Sequence, residues 1–417
     1  MRTQTRTQTR TQPQPQTHTP PTTEQVVDTF TRFFQERGHR PVTGSTLLPP
    51  PGDQVLFTTS GMHPLTPYLE GEPHPLGRRL TNVQRCLRTT DLDEVGDSTH
   101  LTVFQMLGSW SLGDYDGPQS LRWGYELLHE GFGIPRDRFH VTVFGGDEQV
   151  GRGQVGLDHE SLDTWRELGL PVELTEGEEN WWSNGPTGPC GPDSEMFVWT
   201  GGDDTPPQGT PTTDDRWVEV WNHVTMRYRR HGDGGLTPLD QQNIDTGMGL
   251  ERLVMFLQGV DSVHGTDLFE PWRRLVPGLW NLDDEHSLRL VTDHLRSLIV
   301  THGDGVRPSH TGRGYVPRRL IRRTLTTLWR EDPERSLGDL PRELVEHTQS
   351  HFRLPPEPGP VLTMLYEEES RYRRLLDRGR TVLSRYRDRP LTEDDYHYLH
   401  DTHGLPRDLV QGLLDED

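Results

Sequence analysis

Two common residues are missing from this sequence, because its 417 residues include no alanine and no lysine. Alanine is normally among the most frequent residues, and average usage would place on the order of thirty in a chain of this length. Random drift explains this poorly, so we infer selection against alanine codons, with a designed or restricted alphabet as the alternative. Without lysine, the cationic side chains are arginines, which favour bidentate contacts with phosphate and carboxylate.

Cysteine and long apolar runs are also scarce. The two cysteines, Cys86 and Cys190, suggest no paired framework, so a reducing compartment, the cytoplasm, is expected. No apolar run is long enough for a membrane span or a signal-peptide core. No Cys/His cluster has zinc spacing, so no zinc is expected.

The net charge of -21 argues against indiscriminate binding of nucleic acid, so any RNA contact must be local. One dense basic patch stands out against this acidic background. It comprises Arg307, Arg313, Arg318, Arg319, Arg322 and Arg323. The last four are three and four residues apart, which predicts one shared helix face. Such a face either binds phosphates or is a solvated charged surface.

Composition divides the chain into three parts. Residues 1–22 repeat Arg-Thr-Gln-Thr and become Pro/Gln-rich, which predicts a disordered tail, or alternatively a basic RNA-binding arm with Arg2, Arg6 and Arg10. An amphipathic helix is predicted from Thr23 to Gly38, capped by Thr22 or Thr23. Residues 23–270 alternate short apolar runs with Gly/Pro-rich turns, and residues 271–417 are predicted to be helical.

The apolar runs predict an α+β fold with an antiparallel sheet flanked by helices. Strands are predicted at Gln54 to Thr58, Leu101 to Met106, Phe139 to Phe144, Phe197 to Thr200 and Trp217 to Tyr228. Helices are predicted at Leu288 to Val300, Pro317 to Trp329, Pro341 to Phe352 and Val361 to Tyr386. Pro317 suits the first helical position, Pro355 to Pro360 a rigid linker, and Gly201 to Asp215 a surface loop.

The most informative segment is Asp245-Thr246-Gly247-Met248-Gly249-Leu250-Glu251-Arg252. Its glycines allow the backbone and a helix N-terminus to approach a polyphosphate closely, and the arginine supplies a charged fork for phosphate oxygens. The segment predicts an ATP site. Taken alone, it is also compatible with a plain helix start.

Four further segments precede it in the chain. They are Gln84-Arg85-Cys86-Leu87-Arg88, Phe104 to Tyr115, Thr187-Gly188-Pro189-Cys190-Gly191-Pro192 and Trp221-Asn222-His223-Val224. In this order, the series closely resembles the alanyl-tRNA synthetases, a family of class II aminoacyl-tRNA synthetases. The resemblance runs from about Thr23 to the last residue. It implies a class II catalytic domain at 23–270 and an all-helical domain for the tRNA acceptor stem at 271–417.

The resemblance implies ATP-dependent formation of alanyl-adenylate from L-alanine, followed by transfer to tRNA(Ala). Two anions must be brought together, so positioning and charge neutralisation dominate the chemistry. By match to the family, Arg88 holds the α-phosphate and the amino-acid carboxylate, and Phe104 stacks on adenine. Gly247 and Gly249 line the ATP site, and Arg252 binds the γ-phosphate side. A core ion pair is the alternative role for Arg88.

Magnesium is expected with ATP, and Glu219 is the candidate ligand. Asp245 is implied to pair with the α-ammonium group, and Trp182, Asn222 and Val224 to enclose the methyl side chain. Core packing beside Trp181 is the alternative for Trp182. Such a pocket cannot strongly reject glycine or serine, since one methyl or hydroxyl group yields only ~1–3 kcal/mol.

The implied tRNA-binding residues are His310, Arg313, Arg318, Arg319, Arg322, Arg323 and Asp401. Asp401 matches a residue that reads the third acceptor base pair, but its usual asparagine companion is replaced by His310. A second departure follows Arg88, where Thr89-Thr90-Asp91-Leu92 stands in place of a longer Gly-Gly-Lys stretch. Adenylate formation is therefore better supported than transfer to the usual tRNA.

The family's editing and oligomerisation modules have no counterpart here, so we expect an editing protein acting in trans, or no need for editing, and a monomer or weak dimer. One alternative is a ligase of specialised metabolism that passes the adenylate to a carrier protein, peptide or amine. Another is a catalytically silent RNA-binding regulator, against which Arg88, Asp245 and Arg252 argue. The missing alanines further predict a back-up or resistance enzyme, made when alanyl-tRNA is exhausted.

Overall fold

The computed structural model describes residues 19–50, 55–147, 150, 155–177, 179–183, 185–202, 207–386, 389–405 and 407–415. Residues 1–18 of the predicted tail, with Arg2, Arg6 and Arg10, therefore lie outside the described residues. The first helix is capped as predicted. The Thr22 side chain accepts from the Gln25 backbone N–H, and the Gln25 side chain accepts from the Thr22 backbone N–H.

Within the described residues, nine strands form one mixed sheet. They are β1 (Arg40–Pro41), β2 (Arg79–Leu87), β3 (Val103–Leu112), β4 (Phe139–Phe144), β5 (Val172–Thr175), β6 (Trp181–Ser183), β7 (Gly188–Trp199), β8 (Trp217–Arg230) and β9 (Leu236–Gly249). Their order is β1-β2-β3-β9-β8-β7-β4-β5, and β6 pairs with β7. The α+β class is confirmed.

The edges correct the expectation of a wholly antiparallel sheet, because β1 pairs parallel with β2 and β4 pairs parallel with β5. In both cases a long crossover connection joins the two strands, as parallel pairing requires.

The described helices surround the sheet and then continue as a helical region. They are α1 (Thr23–Glu36), α2 (Thr66–Leu69), α3 (Gly117–Glu126), α4 (His159–Leu168), α5 (Leu250–Gln258), α6 (Glu270–Trp280), α7 (Glu285–Gly303), α8 (Tyr315–Trp329), α9 (Arg342–His351), α10 (Pro358–Leu383), α11 (Glu393–His403) and α12 (Arg407–Asp415). None of those described combines the length and the apolar character needed to cross a membrane.

Helices α1, α3, α4 and α5 cover one face of the sheet. Phe30, Leu121, Trp165 and Leu253 pack with strand residues such as Trp221 in one buried apolar cluster. The burial of these side chains holds the helices in place and leaves the opposite face for other contacts.

The sequence located some strands well and others poorly. The run Phe139 to Phe144 coincides with β4, whereas Leu101 to Met106 begins two residues before β3. Residues 55–58 do not form the predicted strand, and Gln54 lies outside the described residues. The Thr58 backbone N–H donates to the Leu47 carbonyl in a loop instead of a ladder.

The four predicted helices correspond to α7, α8, α9 and α10, with two corrections. Helix α8 begins at Tyr315, so Pro317 is its third residue and not its first. A proline is still tolerated there, because the first-turn N–H groups have no helical partner. Helix α10 begins at Pro358, so the second half of the predicted linker Pro355 to Pro360 is helical.

Helix α7 connects the helical region to the β2–β3 hairpin through buried charges. Asp293 accepts hydrogen bonds from the Thr102 backbone N–H at 2.9 Å and from its hydroxyl at 2.5 Å. Arg296 donates to the Val103 carbonyl at 2.6 Å and to Glu251 at 3.0 Å. An unpaired buried charge is costly, so these pairs fix how α7 sits on the hairpin.

Candidate active site

The predicted ATP-binding residues lie on adjacent strands at one end of the sheet. Arg88 directly follows β2, Phe104 is near the start of β3, and Gly247 and Gly249 are near the end of β9. Because β2, β3, β9 and β8 are antiparallel neighbours, the ends of β2 and β9 meet the starts of β3 and β8. Chain reversal thus brings distant sequence segments into one site.

The turn from β9 into α5 has the form that the glycines predicted. Gly249 is the N-cap residue of α5 with an extended backbone, and Arg252 lies in the first turn. A Cβ on Gly247 would lie 2.7 Å from the Met106 sulfur, so a larger residue would displace that side chain. Glycine at this position therefore lets β9 approach β3 without displacing the Met106 side chain.

Arg88 is available for an anion. Its Nε donates to the Thr59 carbonyl at 3.3 Å, and its guanidinium carbon lies 5.2 Å from the centre of the Phe104 ring. The structure gives it no carboxylate partner among the described residues, so the alternative of a core ion pair has no support. The guanidinium and the aromatic ring form adjacent surfaces for a phosphate and a flat base.

Glu219 and Arg252 form an ion pair, with 3.1 Å between Glu219 Oε2 and Arg252 Nη1. A bulge in β8 decides which way Glu219 faces. Val220 and Trp221 both belong to the buried cluster on the covered face, so Glu219 and Asn222 both face the opposite side.

Glu195 on β7 is a further acidic residue that the sequence did not single out. Burial, and then the neighbouring Glu219 and Asp193 carboxylates, raise the pKa of Glu195 well above its ordinary range. Two crowded carboxylates attract a divalent cation, and magnesium needs only one or two of them beside phosphate and water. The donor set Glu195 and Glu219 therefore fits magnesium.

The predicted amino-acid pocket surrounds Asp245. Trp110 Nε1 donates to Asp245 Oδ1 at 2.6 Å, and burial raises the pKa of Asp245 to about 7 despite this bond. Val224 pairs with Asp245 across β8 and β9, and it shares an apolar cluster with Trp110 and Trp182. A buried carboxylate beside apolar walls suits a small ammonium compound.

Trp110 and Asn222 both contribute to this pocket. Trp110 occurs in the segment Phe104 to Tyr115, yet the sequence assigned it no role. Its ring lies against Gly108, where a Cβ would come within 2.0 Å of it. Asn222, predicted to line the pocket, is half-buried, and its Oδ1 has no hydrogen-bond partner. This oxygen is thus a buried acceptor that the described residues leave unsatisfied.

Replacing Trp110 with phenylalanine should raise the pKa of Asp245 further, because the indole N–H stabilises the charged carboxylate. A hydrogen bond to a charged group is worth ~1.5–3 kcal/mol, equivalent to about one to two pH units. The pH below which binding of a small ammonium ligand weakens should move upward accordingly. Trp165→Phe is the control, since it removes a buried bond to Ser194 at 2.7 Å elsewhere. An unchanged pH profile in Trp110→Phe would contradict this role.

The predicted basic face of α8 is divided into two rows with different partners. Arg318 donates to Glu368 at 3.1 Å, and the Arg322 guanidinium carbon lies 5.3 Å from the Tyr372 ring centre. This row faces α10. Arg319 and Arg323 instead contact Asp93, at 3.2 and 2.9 Å, in the turn that follows Arg88. The second row is thus partly neutralised by the catalytic region.

A groove of about 700 Å³ lies between α8 and α10. It is lined by His310, Arg318 and Arg322 and, unpredicted from the sequence, by Arg371, Arg374 and Arg378. His310 Nδ1 lies 2.9 Å from Arg318 Nη1. Gly404, three residues after Asp401, also lines the groove.

Two other predicted RNA-binding residues lie outside the groove lining. Arg313 donates to the Leu56 carbonyl at 2.6 Å. Asp401 on α11 is exposed, and its Oδ1 lies 2.9 Å from His400 Nδ1. Both keep exposed surface in addition to these contacts.

This fold and site have the organisation of a class II tRNA synthetase. A family model described as tRNA synthetases class II (A) matches residues 25–417, and the chain belongs to that family. It is 38% identical to alanine–tRNA ligase of Treponema pallidum, over 94% of this chain and 68% of that protein. The ligase of Treponema denticola is 43% identical, over 73% of this chain and 52% of that protein. That of Anaeromyxobacter dehalogenans is 34% identical, over 95% of this chain and 48% of that protein.

Proposed function

We propose that this chain activates L-alanine with ATP and transfers it to tRNA(Ala). One observation carries the proposal. Arg88 directly follows β2, the buried carboxylate of Asp245 lies on β9, and Arg252 lies in the first turn of α5 just after β9, in a chain of the class II (A) family. This arrangement supplies cationic groups for a polyphosphate and an anionic group for an ammonium ion on one surface.

In the proposed reaction, an oxygen of the alanine carboxylate attacks the α-phosphorus of ATP and pyrophosphate leaves. Arg88 binds both anions and offsets their repulsion, while Phe104 supports the adenine. Arg252 binds the leaving phosphates, and to do so it must break its ion pair with Glu219. Asp245 binds the ammonium group and so orients the carboxylate for attack. These are effects of positioning and charge, with no covalent enzyme intermediate.

Glu195 and Glu219 are the residues that would hold magnesium. When bound, the ion neutralises phosphate charge and leaves the carboxylates less repulsive towards each other. Asp193, buried on the same strand, hydrogen bonds to Asn180 at 2.8 Å and holds the edge of this acidic group in place.

The decisive experiment is alanine-dependent exchange of pyrophosphate into ATP, followed by charging of tRNA(Ala). Exchange that is absent with every amino acid would refute the catalytic proposal. Exchange without charging of any tRNA would instead indicate a ligase that uses a carrier protein, a peptide or an amine as acceptor. We further propose a catalytic unit at 23–270 and a tRNA-binding unit at 271–417.

The acceptor stem is proposed to bind at the groove between α8 and α10. Two single variants, Arg322→Gln and Arg378→Gln, should each weaken tRNA binding and leave pyrophosphate exchange unchanged. Each lost phosphate contact should reduce the slope of log affinity against log salt by about 0.7–0.9. The control is Arg342→Gln on α9, which is exposed and paired with Glu346 at 2.7 Å. Equal salt slopes in all three variants would exclude this groove.

His310 replaces the usual asparagine, and its imidazole offers a different set of donors and acceptors to a base pair. Changing the third acceptor base pair should therefore affect charging less than is usual in the family. Strict dependence on one G·U pair would contradict this part of the proposal. Both cysteines are free and buried, which supports a reducing compartment, the cytoplasm, for the reaction.

A further inference from the structure

The helices show how the chain folds without alanine. Four buried threonines occupy helix interiors and donate their hydroxyl groups to the backbone carbonyl one turn earlier, at 2.7–2.9 Å: Thr164, Thr301, Thr324 and Thr348. Threonine is a poorer helix former than alanine, and such back-bonding is slightly destabilising. Threonine thus occupies buried positions inside these helices although its helix propensity is lower than that of alanine.

Ser297 is another small polar residue inside a helix, but its side chain makes no such hydrogen bond. It lies in the middle of α7 and is fully buried, and its hydroxyl oxygen has no hydrogen-bond partner. Burying an unsatisfied hydroxyl group destabilises the folded state, whereas the methyl group of alanine needs no hydrogen-bond partner.

Two helical glycines serve no packing purpose. A Cβ on Gly278 in α6 or on Gly412 in α12 would meet nothing within 4 Å. By contrast, a Cβ on Gly124 in α3 would lie 2.7 Å from the His223 side chain. Glycine is therefore required at 124, but at 278 and 412 it only weakens the helix relative to alanine.

Glycine at 278 and 412 and serine at 297 are thus each expected to be less stable than alanine at the same position. Base composition does not explain the missing alanines together with the missing lysines, because lysine codons are A-rich and alanine codons are GC-rich. A base-composition bias that removes lysine codons would make alanine codons more frequent. The absence of alanine therefore runs against both the base composition and the preference of the helices.

We propose that this chain restarts the charging of tRNA(Ala) in a cell whose pool of alanyl-tRNA is empty. An enzyme that contains no alanine can be translated in that state, and its product then allows all other proteins to be made. This inference rests on the proposed alanine–tRNA ligase activity, which pyrophosphate exchange and charging of tRNA(Ala) test separately.

The first test measures the stability that the chain gives up. Gly278→Ala, Gly412→Ala and Ser297→Ala should each raise Tm by about 1–3 °C, while Gly124→Ala should lower it. None of these positions belongs to the proposed site, so pyrophosphate exchange by the first three should be unchanged. Unchanged or lower Tm in those three would remove the evidence for selection against alanine.

The second test uses a reconstituted translation system without alanyl-tRNA or its synthetase, but with uncharged tRNA(Ala), alanine and ATP. Messenger RNA for this chain should start synthesis of an alanine-containing reporter after a lag. Messenger RNA for the triple variant with alanine at 278, 297 and 412 should not start it. The purified triple variant, added as protein, should start it at once.

The outcomes separate the two proposals. If purified wild-type protein shows no alanine-dependent exchange, the enzymatic proposal fails and the restart proposal fails with it. If purified wild-type protein charges tRNA(Ala) normally but wild-type messenger RNA gives no reporter, only the restart proposal is wrong. In a host depleted of its resident synthetase, wild-type chain induced after depletion should restore growth, and the triple variant should not. Equal rescue by both would also overturn the restart proposal.

Discussion

Replacing Arg88 with alanine should lower alanine-dependent pyrophosphate exchange by about 10²–10³-fold, the loss associated with removing one donor to a developing anion, ~2.7–4 kcal/mol. Arg88 is expected to contact both reacting anions, and a neutral side chain leaves their repulsion uncompensated. The folded state should be little affected, because the only hydrogen bond the structure gives this side chain, within the described residues, is to the Thr59 carbonyl.

Arg85→Ala is the matched control, three residues earlier at the same hairpin. Arg85 donates two hydrogen bonds to the buried Asp304 carboxylate, at 2.6 and 2.7 Å. Its loss should reduce stability by ~3–5 kcal/mol, since Asp304 is left buried without its partner. Comparing Tm with exchange rate separates the two roles. A large fall in Tm for Arg88→Ala, or normal exchange, would show that Arg88 is structural.

Replacing Asp245 with asparagine should raise the KM for alanine by about 30-fold or more, equivalent to the ~2–5 kcal/mol lost when one partner of a buried charge pair is removed. The amide keeps the shape of the side chain and can still accept from Trp110, so folding should be retained. The KM for ATP should change little, because Asp245 is not expected to contact phosphate.

The pH dependence provides the control for Asp245. Its pKa is raised to about 7, so the carboxyl group gains a proton as the pH falls through that value. The protonated form does not attract an ammonium ion, so the KM of wild-type enzyme for alanine should rise as the pH falls below about 7. Asp245→Asn should lack this dependence. A similar rise in the variant would assign the titration to another group.

Local patterns were sufficient for several elements and motifs. The cap at Thr22 and the strand Phe139–Phe144 follow from spacing and capping chemistry between neighbours in sequence. Helix ends were less certain, as Pro317 and the linker at Pro355 to Pro360 show. A proline predicts the start of a helix only to within about one helical turn. The first few backbone N–H groups of a helix have no partner inside the helix, so proline can replace any of these residues without the loss of a helical hydrogen bond.

One central strand, and the faces of the residues beside a bulge, could not be predicted from the same patterns. The sequence predicted no strand at Leu236–Gly249, yet β9 lies at the centre of the sheet and carries Asp245. Its first half is polar and its last residues are glycine-rich, so it lacks the alternation that identifies a half-buried strand. The β8 bulge likewise breaks the two-residue period, and so the faces of Glu219 and Asn222 could not be derived from spacing.

The sequence by itself determined the family resemblance, the candidate roles of Arg88, Asp245 and Arg252, and the exclusion of alanine. Only the tertiary structure showed that Glu195 lies near Glu219, that Trp110 binds Asp245, and that Asp93 separates the arginines of α8 into two rows. The physical reason is that these contacts join residues far apart in the chain. They depend on strand register, a bulge and the docking of helices on the hairpin, none of which local residue patterns specify.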